Sequence, residues 1–130
     1  MGYGFMKIGL LVLLISLLGL FLGCANDSDS GGWQTISAEQ ARVMMSELEE
    51  FVLLDVRTLS EFETRHIGGA TLMPHDQIGY SFVDKFPDKD MTILVYCQSG
   101  RRSGVAAAIL AELGYLNIYD FGGIIDWVFD

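Results

Sequence analysis

The stretch from Thr92 to Gly114 restricts the fold more than any other part of the chain. Residues 92–96 are apolar or β-branched, which predicts a buried strand. The next six residues, 97–102, form a loop, and Ser103 is expected to open a helix that Gly114 caps. The expected buried stripe of this helix consists of Val105, Ile109 and Leu113. A strand that passes through a short loop into a helix is typical of parallel α/β folds.

The rest of the chain after residue 33 alternates short apolar runs with amphipathic stretches, which also favours α/β. Two capping boxes, Ser37 with Gln40 and Thr58 with Glu61, predict helix starts. The expected helices cover residues 38–48, 60–64 and 75–86, and further strands cover residues 51–54 and 70–73. The run 51–54 is continuously apolar, as expected of a strand buried on both faces.

The N-terminal region carries a separate signal. Residues 8–22 contain no charge, and Lys7 is the only cation before them. The sequence from Leu20 to Cys24 resembles the lipobox of bacterial lipoproteins, although Phe21 departs from the usual leucine. The resemblance implies a signal peptide over residues 1–23, an acylated Cys24 and a flexible tether over residues 24–32. An uncleaved transmembrane anchor is the alternative, because about 18 apolar residues can span a bilayer. Both interpretations place a single domain, residues 33–130, outside the cytoplasm on a membrane.

The net charge and the number of cysteines exclude some classes of function and of structural site. The whole chain has a net charge of -9, and the segment after residue 23 keeps all seventeen acidic residues. Such a balance disfavours nucleic acid as a partner. If Cys24 is acylated, Cys97 is the only thiol left and an intramolecular disulfide is excluded. With one cysteine and two separated histidines, His66 and His75, a structural zinc site lacks ligands, so we expect no metal.

Cys97 lies where α/β folds place their ligand sites, at the carboxyl end of a parallel strand beside a helix N-terminus. Loop N–H groups, the helix dipole, Arg101 and Arg102 would all favour an anion there. Cysteines in such surroundings have pKa values of about 3.5 to 7.5, against about 8.5 in free cysteine. The pattern therefore predicts a nucleophilic thiolate. The alternative is a small buried apolar residue at a strand end.

Several separated motifs together resemble the single-domain rhodaneses of the thiosulfate sulfurtransferase superfamily, from about residue 33 to 130. They are Leu54-Asp55-Val56-Arg57 with Glu61-Phe62, His66-Ile67-Gly68-Gly69-Ala70, Tyr96-Cys97-Gln98-Ser99-Gly100-Arg101-Arg102-Ser103, and Gly122-Gly123-Ile124-Ile125-Asp126-Trp127. The sequence departs from the family pattern at Gly68, where proline is usual, and at Arg65, where glycine is frequent. We therefore do not transfer the family's detailed conformation of this turn to the segment from Arg65 to Ala70.

The resemblance implies a rhodanese-like α/β fold with a central, mostly parallel sheet of about five strands and helices on both faces. It implies a sulfurtransferase that moves a sulfane sulfur from a small anionic donor such as thiosulfate to a thiophilic acceptor through a Cys97 persulfide. No cofactor is implied. The residues expected to bind the anion are Gln98, Ser99, Gly100, Arg101, Arg102 and Ser103.

Asp55 and Arg57 follow a buried strand and should emerge at the same edge as Cys97. Asp55 holds a loop arginine in one interpretation, and in the other it pairs with Arg57 or caps a turn. His66 is expected to be a structural loop residue, because persulfide transfer needs a thiolate and an anion site more than a proton shuttle. His75 has no neighbour in the sequence that indicates a role.

Two other functions share the same loop. A membrane-tethered persulfide carrier or sensor without multiple turnover would use the same residues. Cysteine phosphatases and arsenate reductases place five residues between cysteine and arginine, to enclose a tetrahedral oxyanion. Here four residues separate Cys97 from Arg102, and position 103 is serine. The spacing therefore favours sulfur transfer over phosphate chemistry.

Overall fold

A computed structural model describes residues 32–129. Five strands form one sheet in the order β1-β5-β4-β2-β3, and each strand is parallel to its neighbours. The strands are β1 (Gln34–Thr35), β2 (Val52–Asp55), β3 (Thr71–Leu72), β4 (Thr92–Cys97) and β5 (Asn117–Gly123). The expected signal peptide, the acylated Cys24 and nearly all of the tether lie outside the described residues.

Four α-helices and one 3₁₀ turn connect the described strands, and a second 3₁₀ turn follows β5. The helices are α1 (Ala38–Glu47), α2 (Leu59–Thr64), α3 (Tyr80–Lys85) and α4 (Arg101–Glu112), and the 3₁₀ turns are His75–Gln77 and Ile124–Asp126. Both expected capping boxes are present, at the starts of α1 and α2. Within residues 32–129, no helix is long and apolar enough to cross a membrane.

Apolar side chains fill both faces of the sheet. In β4, Ile93, Val95 and Cys97 point into a cluster that includes Phe82 of α3 and Leu110 of α4. On the opposite face, a second cluster contains Leu53, Leu94, Tyr96, Ala41 of α1 and Trp127. Consecutive residues of a strand point to opposite faces, so a strand covered on both sides must be apolar throughout. The expected parallel α/β sheet with helices on both faces is confirmed.

The predicted strands and the first two helices agree with the structure within one or two residues at each end. The predicted helix over 75–86 is wrong, because it is divided between the first 3₁₀ turn and α3. The extended residues Ile78 and Gly79 separate the two pieces. Ile78 is buried in the core, and a continuous helix would not insert its side chain there. Strands β1 and β5 were not located from the sequence.

Helix α4 differs from expectation in its start and in its buried face. It begins at Arg101 after Gly100, whose φ of +103° suits glycine, and not at Ser103. The predicted stripe is wrong at Val105, which is 42% exposed, whereas Ile109 and Leu113 are partly buried against the core. The buried residues of α4 are Ser103, Ala106, Ala107 and Leu110. Small alanine side chains let the helix lie close to the sheet, and a search for large apolar residues overlooks them.

Candidate active site

Cys97 is the last residue of β4 and is only 1% exposed. The pairing of β4 with β5 shifts between Val95 and Cys97, so that Cys97 lies opposite Gly123. The backbone N–H of Gly100 donates a hydrogen bond to the Cys97 sulfur at 3.0 Å. The Ser103 hydroxyl oxygen lies 3.7 Å from the same sulfur. The loop that follows β4 therefore encloses the sulfur atom.

The surroundings of Cys97 favour its thiolate. Burial raises the pKa of the thiol, but hydrogen bonds from the backbone and hydroxyl of Ser103 and from the backbones of Gly100 and Ser99 lower it more. The net effect is a pKa below the ordinary value for cysteine. A sulfur atom that accepts several N–H groups at the start of a helix is activated as a nucleophile.

The Cys97 loop and the end of β5 approach so closely that only glycine fits at position 123. A Cβ atom on Gly123 would lie 2.3 Å from the carbonyl oxygen of Gln98 and 2.8 Å from the Cα atom of Ser99. The N–H of Ile125 also donates to the Gln98 carbonyl oxygen at 3.4 Å. The turn at the end of β5 thus fixes the course of the loop.

The two loop arginines have different surroundings, although both lie in the first turn of α4. Arg102 donates two hydrogen bonds to the carboxylate of Glu61, each 2.8 Å long. Arg102 and the hydrogen bonds from Thr58 lower the pKa of Glu61 to about 2, although burial opposes them. Arg101 is exposed and forms no ion pair with any residue in 32–129.

Asp55 pairs with Arg57 and does not hold a loop arginine. Both are buried, and the Arg57 Nη2 atom lies 2.7 Å from Asp55 Oδ2. The Tyr96 hydroxyl donates to the same carboxylate oxygen at 2.6 Å. Arg57 in turn donates to Gln98 Oε1 at 3.2 Å and to the Arg65 carbonyl oxygen at 2.6 Å. Of the two interpretations of Asp55, the structure therefore supports the ion pair with Arg57. Arg57, in turn, contacts the Cys97 loop at Gln98.

A cleft of about 500 Å³ opens beside the Cys97 loop. Its lining residues are Arg57, Ser60, Glu61, Thr64, Arg65, Gln98, Ile124 and Ile125. Cys97 is not among them, and Gln98, the next residue in the chain, is the loop residue that lines the cleft. Ile125 is 61% exposed and forms an apolar part of the rim. The arrangement suits a small polar ligand next to an apolar contact.

Within residues 32–129, neither His66 nor His75 forms a hydrogen bond with Cys97. His66 is exposed, stacks on Phe62 with 3.8 Å between ring centroids, and has its Nδ1 atom 2.9 Å from the Phe62 carbonyl oxygen. His75 lies in the first 3₁₀ turn. Across residues 32–129, no group of three or more His, Cys, Asp or Glu side chains could hold a metal ion.

Sequence reasoning did not single out Glu61, Tyr96, Asp120 or Gly123 as residues of the site. Glu61, Tyr96 and Gly123 lie in the motifs that resemble the rhodanese family, but Glu61 was given a role only as a helix cap and Tyr96 only as a strand residue. Their roles depend on partners that are 41 residues away in the sequence. The pair Gly122-Gly123 was a detectable signal, because adjacent glycines after an apolar run indicate a close backbone approach.

Comparisons with known proteins agree with this geometry. The family model of the rhodanese-like domain matches residues 37–129. The thiosulfate sulfurtransferase PspE of Escherichia coli K12 is 37% identical over 73 residues, which cover 56% of this chain and 70% of the relative. The thiosulfate sulfurtransferase GlpE of Actinobacillus succinogenes is 38% identical over 84 residues, which cover 64% of this chain and 74% of the relative.

The fold is similar to that of a solved rhodanese with anions from E. coli. The TM-score is 0.58 at 33% identity, and the match covers 62% of this chain and 95% of the other. At the level of the family, these relatives support sulfurtransferase activity. Because the family model matches well over half of the chain, the chain belongs to the rhodanese-like family.

Proposed function

We propose that this protein is a sulfurtransferase that carries a sulfane sulfur on Cys97 as a persulfide. The observation that carries the proposal is the Cys97 sulfur at the end of β4, with the Gly100 N–H 3.0 Å away and a lowered pKa. A thiolate held by N–H groups at a helix start is an activated nucleophile. The donor is an anion such as thiosulfate, the substrate in the names of two relatives.

The reaction is a double displacement. The Cys97 thiolate attacks the outer sulfur of thiosulfate, a new S–S bond forms, and sulfite leaves with the electron pair of the broken S–S bond. The product on the enzyme is a persulfide with a negative outer sulfur. A thiophilic acceptor then attacks that outer sulfur, and Cys97 leaves as a thiolate. Electrons balance without an external oxidant, and no cofactor takes part.

The loop supplies the positive potential for the anion. The N–H groups of Ser99, Gly100 and Ser103 all act on the Cys97 sulfur. Glu61 neutralises Arg102, so Arg101 is the loop arginine that keeps its full charge toward an incoming donor. Fixed backbone dipoles are effective here because they need no rearrangement when charge develops.

Phosphate chemistry has weaker support from the same geometry. Arg102 lies in the first turn of α4 and is bound by both oxygens of Glu61, so it is not available to clamp a tetrahedral oxyanion. A persulfide carrier or sensor would use the same loop as an enzyme. The two differ in turnover, because an enzyme releases many sulfur atoms to the acceptor and a carrier releases one.

We also propose that the domain acts outside the cytoplasm, attached to a membrane through a lipid on Cys24. The support is the Gly23-Cys24 junction after an uncharged apolar segment. The acceptor would then be a thiol or another thiophile at that membrane.

Mass spectrometry of the full chain tests the chemistry. After incubation with thiosulfate, the peptide that contains Cys97 should gain one sulfur atom, about 32 Da. Cyanide should remove that gain, and repeated cycles should release thiocyanate in excess over protein. The Cys97→Ser variant should keep the fold and show neither effect. A sulfur gain on another residue, or none on Cys97, would contradict the proposal, whereas a gain with a single release would favour the carrier.

A further inference from the structure

Asp120 is a buried carboxylate in β5 that the proposed reaction does not use. It is 5% exposed, and within residues 32–129 no lysine or arginine forms an ion pair with it. Its Oδ1 atom accepts a hydrogen bond from the Gly122 N–H at 2.9 Å. A Cβ atom built on Gly104 would lie 3.7 Å from Oδ2, so this second oxygen faces the first turns of α4. A buried carboxylate without a cation is costly, which makes its position informative.

Ser103 connects Asp120 with Cys97. Its hydroxyl lies 3.0 Å from the Gly100 carbonyl oxygen, 3.4 Å from the Gly122 carbonyl oxygen and 3.7 Å from the Cys97 sulfur. Gly122 joins the two residues, because its N–H donates to Asp120 and its carbonyl oxygen accepts from the Ser103 hydroxyl. Burial raises the pKa of Asp120, and the Ser103 hydroxyl and the Gly122 N–H partly offset this increase. A hydroxyl group has one hydrogen, so these acceptors compete for it.

We propose that Asp120 is a positioning residue that, through Ser103, controls how readily Cys97 loses its proton. This inference rests on the proposed function only in taking Cys97 as the nucleophile. When Asp120 is ionised, it attracts the Ser103 hydroxyl hydrogen, and its charge opposes a second negative charge on the sulfur. When Asp120 is neutral, Ser103 donates to the thiolate. The proton on Asp120 and the proton on Cys97 are therefore coupled.

The other charged groups near Asp120 do not produce this coupling. Asp120 lies on the face of the sheet that α4 covers, where the charged residues of the first turn are Arg101 and Arg102. Cys97 is the titratable residue that β4 presents on that face. The residues of β1 beside Asp120, Gln34 and Thr35, do not titrate. Arg102 interacts favourably with the Cys97 thiolate. The first 3₁₀ turn also packs against α4 and carries His75 and Asp76. Among the described residues, no hydrogen bond joins either of these side chains to Asp120, Ser103 or Cys97, whereas Gly122 and Ser103 join Asp120 to the sulfur.

The pH dependence of alkylation by iodoacetamide tests the proposal without any sulfur donor. The reagent is applied to the full chain at a series of pH values, and modification of the Cys97 peptide is quantified by mass spectrometry. The rate follows the thiolate fraction. Asp120→Asn keeps an oxygen for the Gly122 N–H and removes the charge. We expect its midpoint to lie about 0.5 to 1 pH unit below that of the wild type.

Asp126→Asn is the matched control, since it removes the same charge from an exposed residue of the second 3₁₀ turn. It should leave the midpoint unchanged. Ser103→Ala should raise the midpoint, because the thiolate loses a donor. In the Ser103→Ala background, Asp120→Asn should shift the midpoint by less than half of the shift that it produces in the wild-type chain. A purely structural role for Asp120 would not produce opposite shifts in the two single variants.

An unchanged midpoint in Asp120→Asn, or an equal shift in Asp126→Asn, would overturn the proposal. A shift that persists in full without the Ser103 hydroxyl would overturn the route through Ser103. The comparison of Asp120→Asn with Asp126→Asn decides the matter even if Ser103→Ala does not fold, because neither variant changes Ser103. Sulfur transfer is measured separately, so its absence would refute the proposed function and leave this result intact.

Discussion

The charge state of each residue around the Cys97 loop depends on one or two neighbours. Asp55 neutralises Arg57 in the buried pair, and Glu61 neutralises Arg102. Two of the cations that the sequence places near the sulfur are therefore already paired. The remaining attraction for an anion comes from backbone N–H groups and from Arg101. The site is a set of fixed dipoles more than a cluster of positive side chains.

The pair of Glu61 and Arg102 predicts a specific response to acid. The pKa of Glu61 is lowered to about 2, mainly by Arg102. Its contribution to the free energy of unfolding is therefore present above the ordinary pKa of about 4.3 and is lost as the pH falls toward 2. Glu61→Gln should cost about 1 kcal/mol at pH 7, since both side chains are partly exposed and solvent screens them. Glutamine can still serve the capping box at Thr58.

Urea unfolding at pH 7, 5, 4 and 3 measures this difference. The gap between the wild type and Glu61→Gln should shrink as the pH falls. Glu63→Gln is the control, because Glu63 lies in the same helix, is exposed and forms no ion pair with any described residue. A gap that stays constant from pH 7 to pH 3 would show that the ion pair does not carry the effect.

Among the elements, the contact between the Cys97 loop and the end of β5 decides the shape of the site. The loop spans only Gln98 to Gly100, because α4 starts at Arg101. Gly100 adopts a left-handed conformation, and Gly123 allows the backbone of Gln98 to approach. Two strands and a helix start thus meet around one sulfur atom.

Gly123→Ala should disrupt this contact. The new Cβ atom would meet three backbone atoms of the loop at less than 3.0 Å, so the loop must move. Overpacking of this kind costs about 1 to 3 kcal/mol. We expect a lower urea midpoint and a raised pKa of Cys97, because displaced N–H groups no longer point at the sulfur. Iodoacetamide alkylation of Cys97 as a function of pH measures the second effect.

Gly68→Ala provides the comparison for Gly123→Ala. Gly68 has no atom within 4 Å of an added Cβ and no left-handed backbone. Alanine there should leave Cys97 reactivity unchanged and should stabilise the protein by about 0.4 to 1 kcal/mol, by restricting the unfolded chain. Equal effects of the two substitutions on Cys97 would contradict the close contact at Gly123.

At the scale of the whole molecule, charge separates the site from the rest of the surface. The chain carries 17 acidic and 8 basic residues, yet Arg57, Arg65, Arg101 and Arg102 all lie at the carboxyl end of the sheet or in the adjoining cleft. An acidic surface repels anionic macromolecules and keeps the domain soluble. Because Asp55 and Glu61 pair with Arg57 and Arg102, the arginines at this edge that have no ion pair within residues 32–129 are Arg65 and Arg101.

Attachment through Cys24 is the prediction that belongs to the complete chain. Mass spectrometry of protein extracted from membranes should find an N-terminus at Cys24 that carries a diacylglyceryl group. Cys24→Ala should retain the uncleaved N-terminal segment and lose the lipid. The matched substitution Cys97→Ser should leave the lipid in place. An unmodified chain that begins at Met1 in the wild type would refute the lipid anchor and favour the transmembrane anchor.

Local patterns in the sequence determined most of the elements and pointed to Cys97 as the candidate nucleophile. The capping boxes at Ser37 and Thr58, the apolar runs of β2 and β4, and the strand that ends at Cys97 all depend on residues within a few positions of each other. Such signals are complete in the sequence, because capping and strand burial act over one turn or one strand. The resemblance to the motifs of the rhodanese family predicted the sheet of about five strands with helices on both faces.

The tertiary structure alone decided which side chains act on one another. Glu61 meets Arg102 and Tyr96 meets Asp55 across 41 residues, and Asp120 and Ser103 both form hydrogen bonds with Gly122. It also decided the buried face of α4, where alanines pack more closely than the larger residues that periodicity selected. Contacts of this range depend on sheet order and register, and neither is encoded in any short stretch of sequence.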